Sequence, residues 1–568
     1  MKQIWWKEAV VYQIYVRSFL DTDQDGIGDL KGIIQKIPYL KQLGIDAIYL
    51  NPINKSPNDD FGYDISDFYD IMTEFGTLAD FDELVRTLHD NGLRFIMDLV
   101  INHSSDEHPW FKEARTSRDN PYHDFYIWKD GKANGPPNNW PSFFGGPAWE
   151  YNEATDEYYL HLFSRKQPDF NFSNDQLREA LKDIIRFWID RGVDGFRFDA
   201  INHIAKDRAF PDGRVDPGNR YGDFTPFVQN LPLVHDYIRE LRRDAISHPD
   251  FFVAGEAGGI GFDTAHLYTS EEARELDVLF HFDMHSVGRG PRDWIRLPVD
   301  LRKTIKRSFT GWATRPKVEG WNPVFFSNHD TTRTVSRIGD DINYREASAK
   351  ALCLLQLTQR GTPFIYYGDE IGMSNAHDFQ LEDYRDVAVL QKYQEQVIEG
   401  DVPHEDYLSG LHNMNRDNAR TPMQWNDQPG AGFSTALPWI PLNHNSAFIN
   451  VAEQTSRPDS ILNFYQTMIS LRKANPTLIY GTFTEYLNEH EQIYLYTRQG
   501  GPDDREYLIL LNLTSEPAEA TLPIPLTKRL EEGSSKLLLS NYDLAADFAS
   551  AFSLKPWEAR LYELFPIK

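Results

Sequence analysis

Short apolar runs alternate with helical patterns along most of the 568 residues, and three of the runs end in a carboxylate. Near residue 481 the pattern changes to short alternating strands. These observations predict an α/β fold with a closed (β/α)8 barrel, a small domain inserted after its third strand, and a C-terminal antiparallel β-sandwich. Parallel strands need crossover helices, and eight such units close on themselves.

The strand candidates are residues 10–15, 47–50, 95–101, 195–199, 251–256, 278–282, 324–330 and 362–367. Helical periods fill residues 30–43, 78–91 and 176–191, the last two closed by Gly92 and Gly192, as suits glycine at a helix C-terminus. Residues 104–173 are rich in Asn, Pro, Gly and Trp and too long for a simple loop, which predicts the inserted domain. A second polar insertion is expected at about 373–455. The barrel then comprises residues 1–103 and 174–480, and the C-terminal domain 481–568.

Composition narrows the function. The 58 basic and 85 acidic side chains leave a net charge of -27, which repels phosphate and disfavours nucleic acid and anionic membranes as partners. No stretch approaches the ~20 apolar residues of a membrane span. A lone cysteine, Cys353, excludes a disulfide within the chain. The N-terminus shows no apolar core of a signal peptide. The expectation is a cytoplasmic protein, monomeric or weakly dimeric.

The three terminal carboxylates carry the chemistry. They close Gly195-Phe-Arg-Phe-Asp199, Phe251-Phe-Val-Ala-Gly-Glu256 and Val324-Phe-Phe-Ser-Asn-His-Asp330. One acid at a strand end serves equally as a helix N-cap. Three on successive strands, two with basic neighbours (Arg197, His329), point to one site at the barrel's carboxyl-end face. There two carboxylates divide the acid and nucleophile roles of glycosyl transfer. Arg197, two residues before Asp199, points to the same side and favours its ionised form. Apolar surroundings would raise Glu256, as a general acid requires. Asp60 and Tyr63, after the second strand, can meet sugar hydroxyls and stack on a ring, though a plain Gly-containing turn reads the same way. Asp98 and His103 close the third strand. Asp21-Thr-Asp-Gln-Asp-Gly-Ile-Gly-Asp29 offers alternating oxygens and turn glycines to a hard cation. It is not a full EF-hand, since its twelfth position is Gly32; an acidic turn without metal is the alternative.

With these residues in view, the chain resembles family 13 glycoside hydrolases, the α-amylase family, over nearly its whole length. Asp98-Leu-Val-Ile-Asn-His103, Gly195-Phe-Arg-Phe-Asp199, Glu256 and Phe326-Ser-Asn-His-Asp330 match the family's four blocks in order and spacing. Gln167-Pro-Asp-Phe-Asn171 and Arg416-Asp-Asn-Ala-Arg-Thr-Pro-Met-Gln-Trp425 resemble marks of its oligo-1,6-glucosidase and α-glucosidase branch. The resemblance implies a retaining exo-α-glucosidase acting on short oligosaccharides, with possible transfer of glucose to another sugar. It makes Asp199 the nucleophile, Glu256 the acid/base and Asp330 the third carboxylate. Asp60, Tyr63, His103, Gln167, Arg197, His329 and Arg416 would surround the terminal glucose, with Asp60 and Arg416 closing the pocket. Asp21, Asp23, Asp25, the Ile27 carbonyl and Asp29 match the branch's loop for one structural Ca2+, with Mg2+ as the alternative.

Linkage rests on two positions. Val follows the nucleophile in enzymes preferring α-1,6 bonds, and Ala or Thr in many that accept α-1,4 bonds; here it is Ala200. Two residues after the acid, Gly258 matches neither Pro nor Asn. The expectation is α-1,4 preference, as for maltose, with an oligo-1,6-glucosidase as the alternative. A sucrose isomerase or transglucosylase is a further alternative. The segment Thr331-Thr-Arg-Thr-Val-Ser-Arg337 lacks the charged loop often found in those isomerases. The heavy chain of an amino-acid transporter, a non-enzyme of the same fold, lacks the full catalytic set and carries a membrane span.

Overall fold

The computed structural model describes residues 4–133, 135–273, 275–290, 299–314, 320–532, 534–543 and 550–565. Residues 1–3, from the N-terminal segment, and 533, 544–549 and 566–568, from the expected C-terminal domain, lie outside them.

Eight parallel strands form the central sheet: β1 (Val11–Ile14), β2 (Ala47–Leu50), β3 (Arg94–Val100), β4 (Gly195–Asp199), β5 (Phe252–Glu256), β6 (Val278–Phe280), β7 (Pro323–Val324) and β8 (Thr362–Tyr366). Ladders join them in chain order from β1 to β6, with β8 between β1 and β7. β6 and β7 lie side by side at the sheet's ends, so the barrel is nearly closed. The eight strands are almost wholly buried, as expected when helices cover the outside and side chains fill the inside. β7 is shorter than its apolar run: Phe325 to Asp330 leave the ladder and turn into the site.

Local chemistry starts and stops the helices. In Leu30–Leu43, Asp29 accepts the Gly32 N–H as N-cap, and Gly44 ends the helix at φ 96°. Thr77 and Asp80 cap Leu78–Asp90 reciprocally. Asn174 caps Asp175–Asp190 through the Leu177 N–H.

Among the described residues, three outlying units lean on the barrel. Trp128–Lys129, Glu157–Leu160 and Trp149–Asn152 make a small antiparallel sheet in the expected insertion. Its apolar cluster, including Trp140, Trp149 and Leu160, also takes Phe210, Phe224 and Val228 from the segment after β4. Phe379, Tyr384, Val389, Tyr407 and Leu411 form a second cluster beyond β8. The C-terminal unit pairs Thr482–Tyr486, Ile493–Gln499, Glu506–Asn512, Ala559–Phe565 and Ser534–Ser540 in that order, all antiparallel. A second sheet of Ala518–Thr521 and Ala551–Leu554 completes the sandwich. Buried Arg498 and Arg472 lie where it meets the barrel and donate to otherwise open backbone carbonyls, including Thr358 and Leu357. Cys353 is a buried free thiol. No described helix is long and apolar enough to cross a membrane.

Candidate active site

The carboxyl ends of the strands converge on a cavity of about 480 Å³. Asp199, Glu256 and Asp330 all line it, with Asp60, Tyr63, His103, Gln167, Ala200, Gly258 and Arg416. Arg197 and His329 lie just beneath, 3% and 1% exposed.

Register explains the centre. β3 and β4 run in parallel with Asp98 beside Arg197 and Val100 beside Asp199. Side chains alternate along a strand, so Asp98, Arg197 and Asp199 share the inner face. Arg197 reaches Asp98 at 2.9 Å, Asp199 at 2.7 Å and Glu256 at 2.8 Å. One guanidinium thus serves three carboxylates, and the group keeps a net negative charge even when one proton is bound among them. Burial is the main force pushing Asp199 well above the ordinary carboxylate range, and the Glu256 and Asp98 charges add to it against Arg197. The expected contact of Arg197 with Asp199 is present, but burial first, and the two other carboxylates after it, outweigh the cation. The side chains of Asp199 and Glu256 are 11% and 14% exposed, too alike for burial alone to separate their roles.

The second centre is Asp330. Burial would raise it, but His329 at 2.8 Å, Arg416 at 2.8 Å and Arg420 at 3.4 Å outweigh that and hold it well below its usual value. His329 is fixed from its other face by Asn51 at 2.8 Å, and its ring stacks on Tyr63 at 5.2 Å and 7°. The Tyr63 hydroxyl donates to Asp98 at 2.9 Å, linking the two centres.

Arg416 spans three segments: it meets Asp330, Asp60 at 3.3 Å and Asp386 at 2.9 Å. Asp60 is raised to about 7, by burial first, with Asp64 and Asp330 adding and Arg416 and Arg420 opposing. Gln167 donates to Asp60 at 3.2 Å. His103 lies within 3.0 Å of the Tyr63 carbonyl, and burial lowers it to about 4, so it is neutral at pH 7.

Next to Asp199, the Ala200 N–H donates to Glu256 at 3.3 Å. Ala200 holds φ 45°, the left-handed region that side chains with a branched β-carbon strongly avoid. The Gly258 carbonyl accepts from Asn202 at 2.9 Å and Asn230 at 3.0 Å. Phe143, Phe144, Phe163 and Phe282 give the mouth apolar walls.

Sequence reasoning missed Asp386, Asn51, Asn202 and the aromatic mouth. Asp386 sits in a polar stretch with no local motif, and only its contact with Arg416 reveals it. The Asn51 signal was available: it directly follows a barrel strand.

Away from the cavity, the Asp21, Asp23 and Asp29 carboxylates come within 4.8 Å of one another. That spread suits oxygens on a shell of about 2.4 Å radius around Ca2+. Asp21 also accepts N–H groups of Asp23, Gln24 and Gly26, and Asp29 doubles as the helix cap. Asp25 stands outside this group, accepting the Ile27 N–H at 2.7 Å.

The model of the α-amylase catalytic domain matches residues 13–481. The oligo-1,6-glucosidase of Parageobacillus thermoglucosidasius is 45% identical over 99% of this chain and 100% of its own length. The α-glucosidase of Pediococcus pentosaceus is 43% identical over 99% of each chain. The crystal structure of Bacillus licheniformis trehalose-6-phosphate hydrolase superposes with a TM-score of 0.92 at 41% identity, covering 99% of this chain and 100% of that one. With eight carboxyl-end loops around a carboxylate cluster and similarity along its whole length, the chain belongs to the α-amylase family of glycoside hydrolases, in the oligo-1,6-glucosidase and α-glucosidase branch.

Proposed function

We propose that the protein removes glucose, one residue at a time, from the non-reducing end of short α-glucosides with retention of configuration. The observation that carries this is Arg197 bridging Asp199 and Glu256. Sharing one guanidinium favours the close carboxyl pair of retaining enzymes, about 5–5.5 Å apart, over the about 6.5–9.5 Å gap that admits a water in inverting ones. Glu256 protonates the glycosidic oxygen while Asp199 attacks the anomeric carbon. A β-glucosyl ester forms, and Glu256 then takes a proton from water, or from an acceptor sugar, as it displaces Asp199. Asp330, held anionic by Arg416, Arg420 and His329, faces the ring hydroxyls and the developing positive charge. Asp60 and Arg416 meet the hydroxyl farthest from the scissile bond, so the pocket admits one terminal sugar.

For the linkage, the methyl of Ala200 leaves room for an α-1,4-linked ring, and the expected order of kcat/KM is maltose above isomaltose. A second reading, α-1,6 preference, draws on the oligo-1,6-glucosidase relatives. Initial rates on maltose, isomaltose, sucrose, trehalose and maltotriose decide between them, with NMR of the first product. Early α-glucose supports retention, early β-glucose refutes it, and faster isomaltose turnover gives the α-1,6 reading precedence. Ala200→Val is expected to shift the maltose-to-isomaltose ratio towards isomaltose by about tenfold to a few hundredfold, the worth of one or two methyl contacts. The left-handed backbone adds strain to that variant, so the ratio, not the absolute rate, is the readout.

Asp21, Asp23 and Asp29 would hold one divalent cation, Ca2+ by donor type, tying the loop after β1 to the start of the following helix. Chelation with EDTA is expected to lower Tm without altering the linkage preference. Protein purified without chelator and free of metal, with a Tm indifferent to EDTA, overturns this.

A further inference from the structure

The glycines beside the acid/base open a slot that a single polar side chain enters. A Cβ on Gly258 would come 3.1 Å from Gln229 Nε2, and one on Gly259 would come 2.9 Å from Gln229 Oε1. Gly259 holds φ 71°, so any side chain there is strained as well as crowded. Gln229 ends the short helix Thr225–Val228 in an extended conformation, and Asn230 next to it is turned to φ 55°. That unusual turn is pinned: Asn230 donates to the Gly258 carbonyl at 3.0 Å and accepts from Tyr268 at 2.9 Å and from Asn202 at 3.0 Å. The backbone that carries Gln229 is therefore rigid against the Gly258–Gly259 turn. Its side chain, by contrast, lines the cavity half-buried, and among the described residues its amide makes no hydrogen bond. A carboxamide set against the glycines that follow Glu256 by two and three residues, on a pinned backbone and left unused, is pre-organised for a ligand.

From this we infer that Gln229 is a specificity-determining residue of the leaving-group subsite, hydrogen-bonding hydroxyls of the sugar that Glu256 releases. The inference rests on the α-glucosidase reading and deepens it. An amide donates through Nε2 and accepts through Oε1, the pair of functions that two neighbouring sugar hydroxyls complement. Gly258 is then the absence of a side chain that makes room for this amide: a larger residue there would push Gln229 aside. The selectivity that a side chain at position 258 would otherwise supply comes here from the loop after β4.

The test compares leaving groups that share the same glucose. Maltose and isomaltose release a sugar rich in hydroxyls, and p-nitrophenyl α-glucoside releases a flat phenol that offers none beyond its leaving oxygen. In Gln229→Ala, kcat/KM for maltose relative to the aryl glucoside is expected to fall about tenfold, mostly through KM, as one or two lost hydrogen bonds imply. Gly258→Ala is expected to lower the same ratio in the same direction, and Gln229→Glu to restore part of it. The ratio cancels any common loss from imperfect folding. An unchanged ratio in both Gln229→Ala and Gly258→Ala overturns the inference while the α-glucosidase reading stands. A wild-type enzyme that cleaves neither disaccharide nor aryl glucoside overturns both.

Discussion

Asp199→Ala is expected to lower kcat on every α-glucoside by at least about 10⁴-fold, because in the proposed mechanism it deletes the atom that attacks the anomeric carbon. The fold should survive the change. Asp199 stands at the cavity surface, and Arg197 keeps Asp98 and Glu256 as partners. Melting temperature within a few degrees of the parent, with turnover gone, is the expected pair of observations. Azide should restore measurable release of the leaving group, since a small anion fits where the carboxylate stood, and the product should be β-glucosyl azide. Near-normal turnover by Asp199→Ala would place the nucleophile elsewhere. So would rescue that yields only the α-azide, since that product requires attack from the opposite face.

The largest stability effect is expected at Arg197. Arg197→Leu leaves Asp98, fully buried, facing Asp199 and Glu256 with no cation between them. Removing one partner from a buried ionic group costs about 3–5 kcal/mol, because the remaining charges stay desolvated. The sign of the pH dependence follows. Without the guanidinium Asp98 and Asp199, which burial already raises, are pushed further above their unfolded values, so the penalty is full at neutral pH and shrinks as acid protonates them. Urea unfolding at pH 7 and pH 5 should therefore show the gap between variant and parent narrowing at the lower pH. A gap that stays constant would mean that lost packing, not charge, dominates. Arg197→Lys should recover part of the stability and little of the activity, since one ammonium cannot present the fork that spans Asp199 and Glu256.

Much of this was legible from residues alone because barrel strands leave strong marks. A run such as Phe95 to Ile101 is apolar but for Asp98 since both of its faces are covered, and that one charge points inward to the site. Asp199 and Glu256 could thus be placed at strand ends before any coordinates. The spacing of Arg197 and Asp199 also announced their shared face. What stayed hidden depended on distance in sequence. Nothing near Asp386 marks it as a partner of Arg416, and nothing near Gln229 says that it fills the space left by Gly258. Such pairs exist only after the insertions fold over the barrel. The balance of charge at Asp199 was also out of reach, because it depends on how many carboxylates divide one arginine. The left-handed turn at Ala200 left no trace either, since alanine is not a residue that advertises positive φ.

Arg416 draws Asp60, Asp330 and Asp386 together from three distant stretches of chain. A tie of that kind at the far end of a pocket governs the rhythm of degradation. A sugar lodged against it has no exit forwards, so an oligosaccharide cannot slide ahead after each cut. Free glucose must back out through the mouth, the shortened chain must drift away, and the next round begins with a fresh collision. On the proposed exo-acting mechanism, distributive degradation is the expected result. Maltotriose should give a transient pool of maltose in solution, and accumulated glucose should slow the reaction by occupying the blind end.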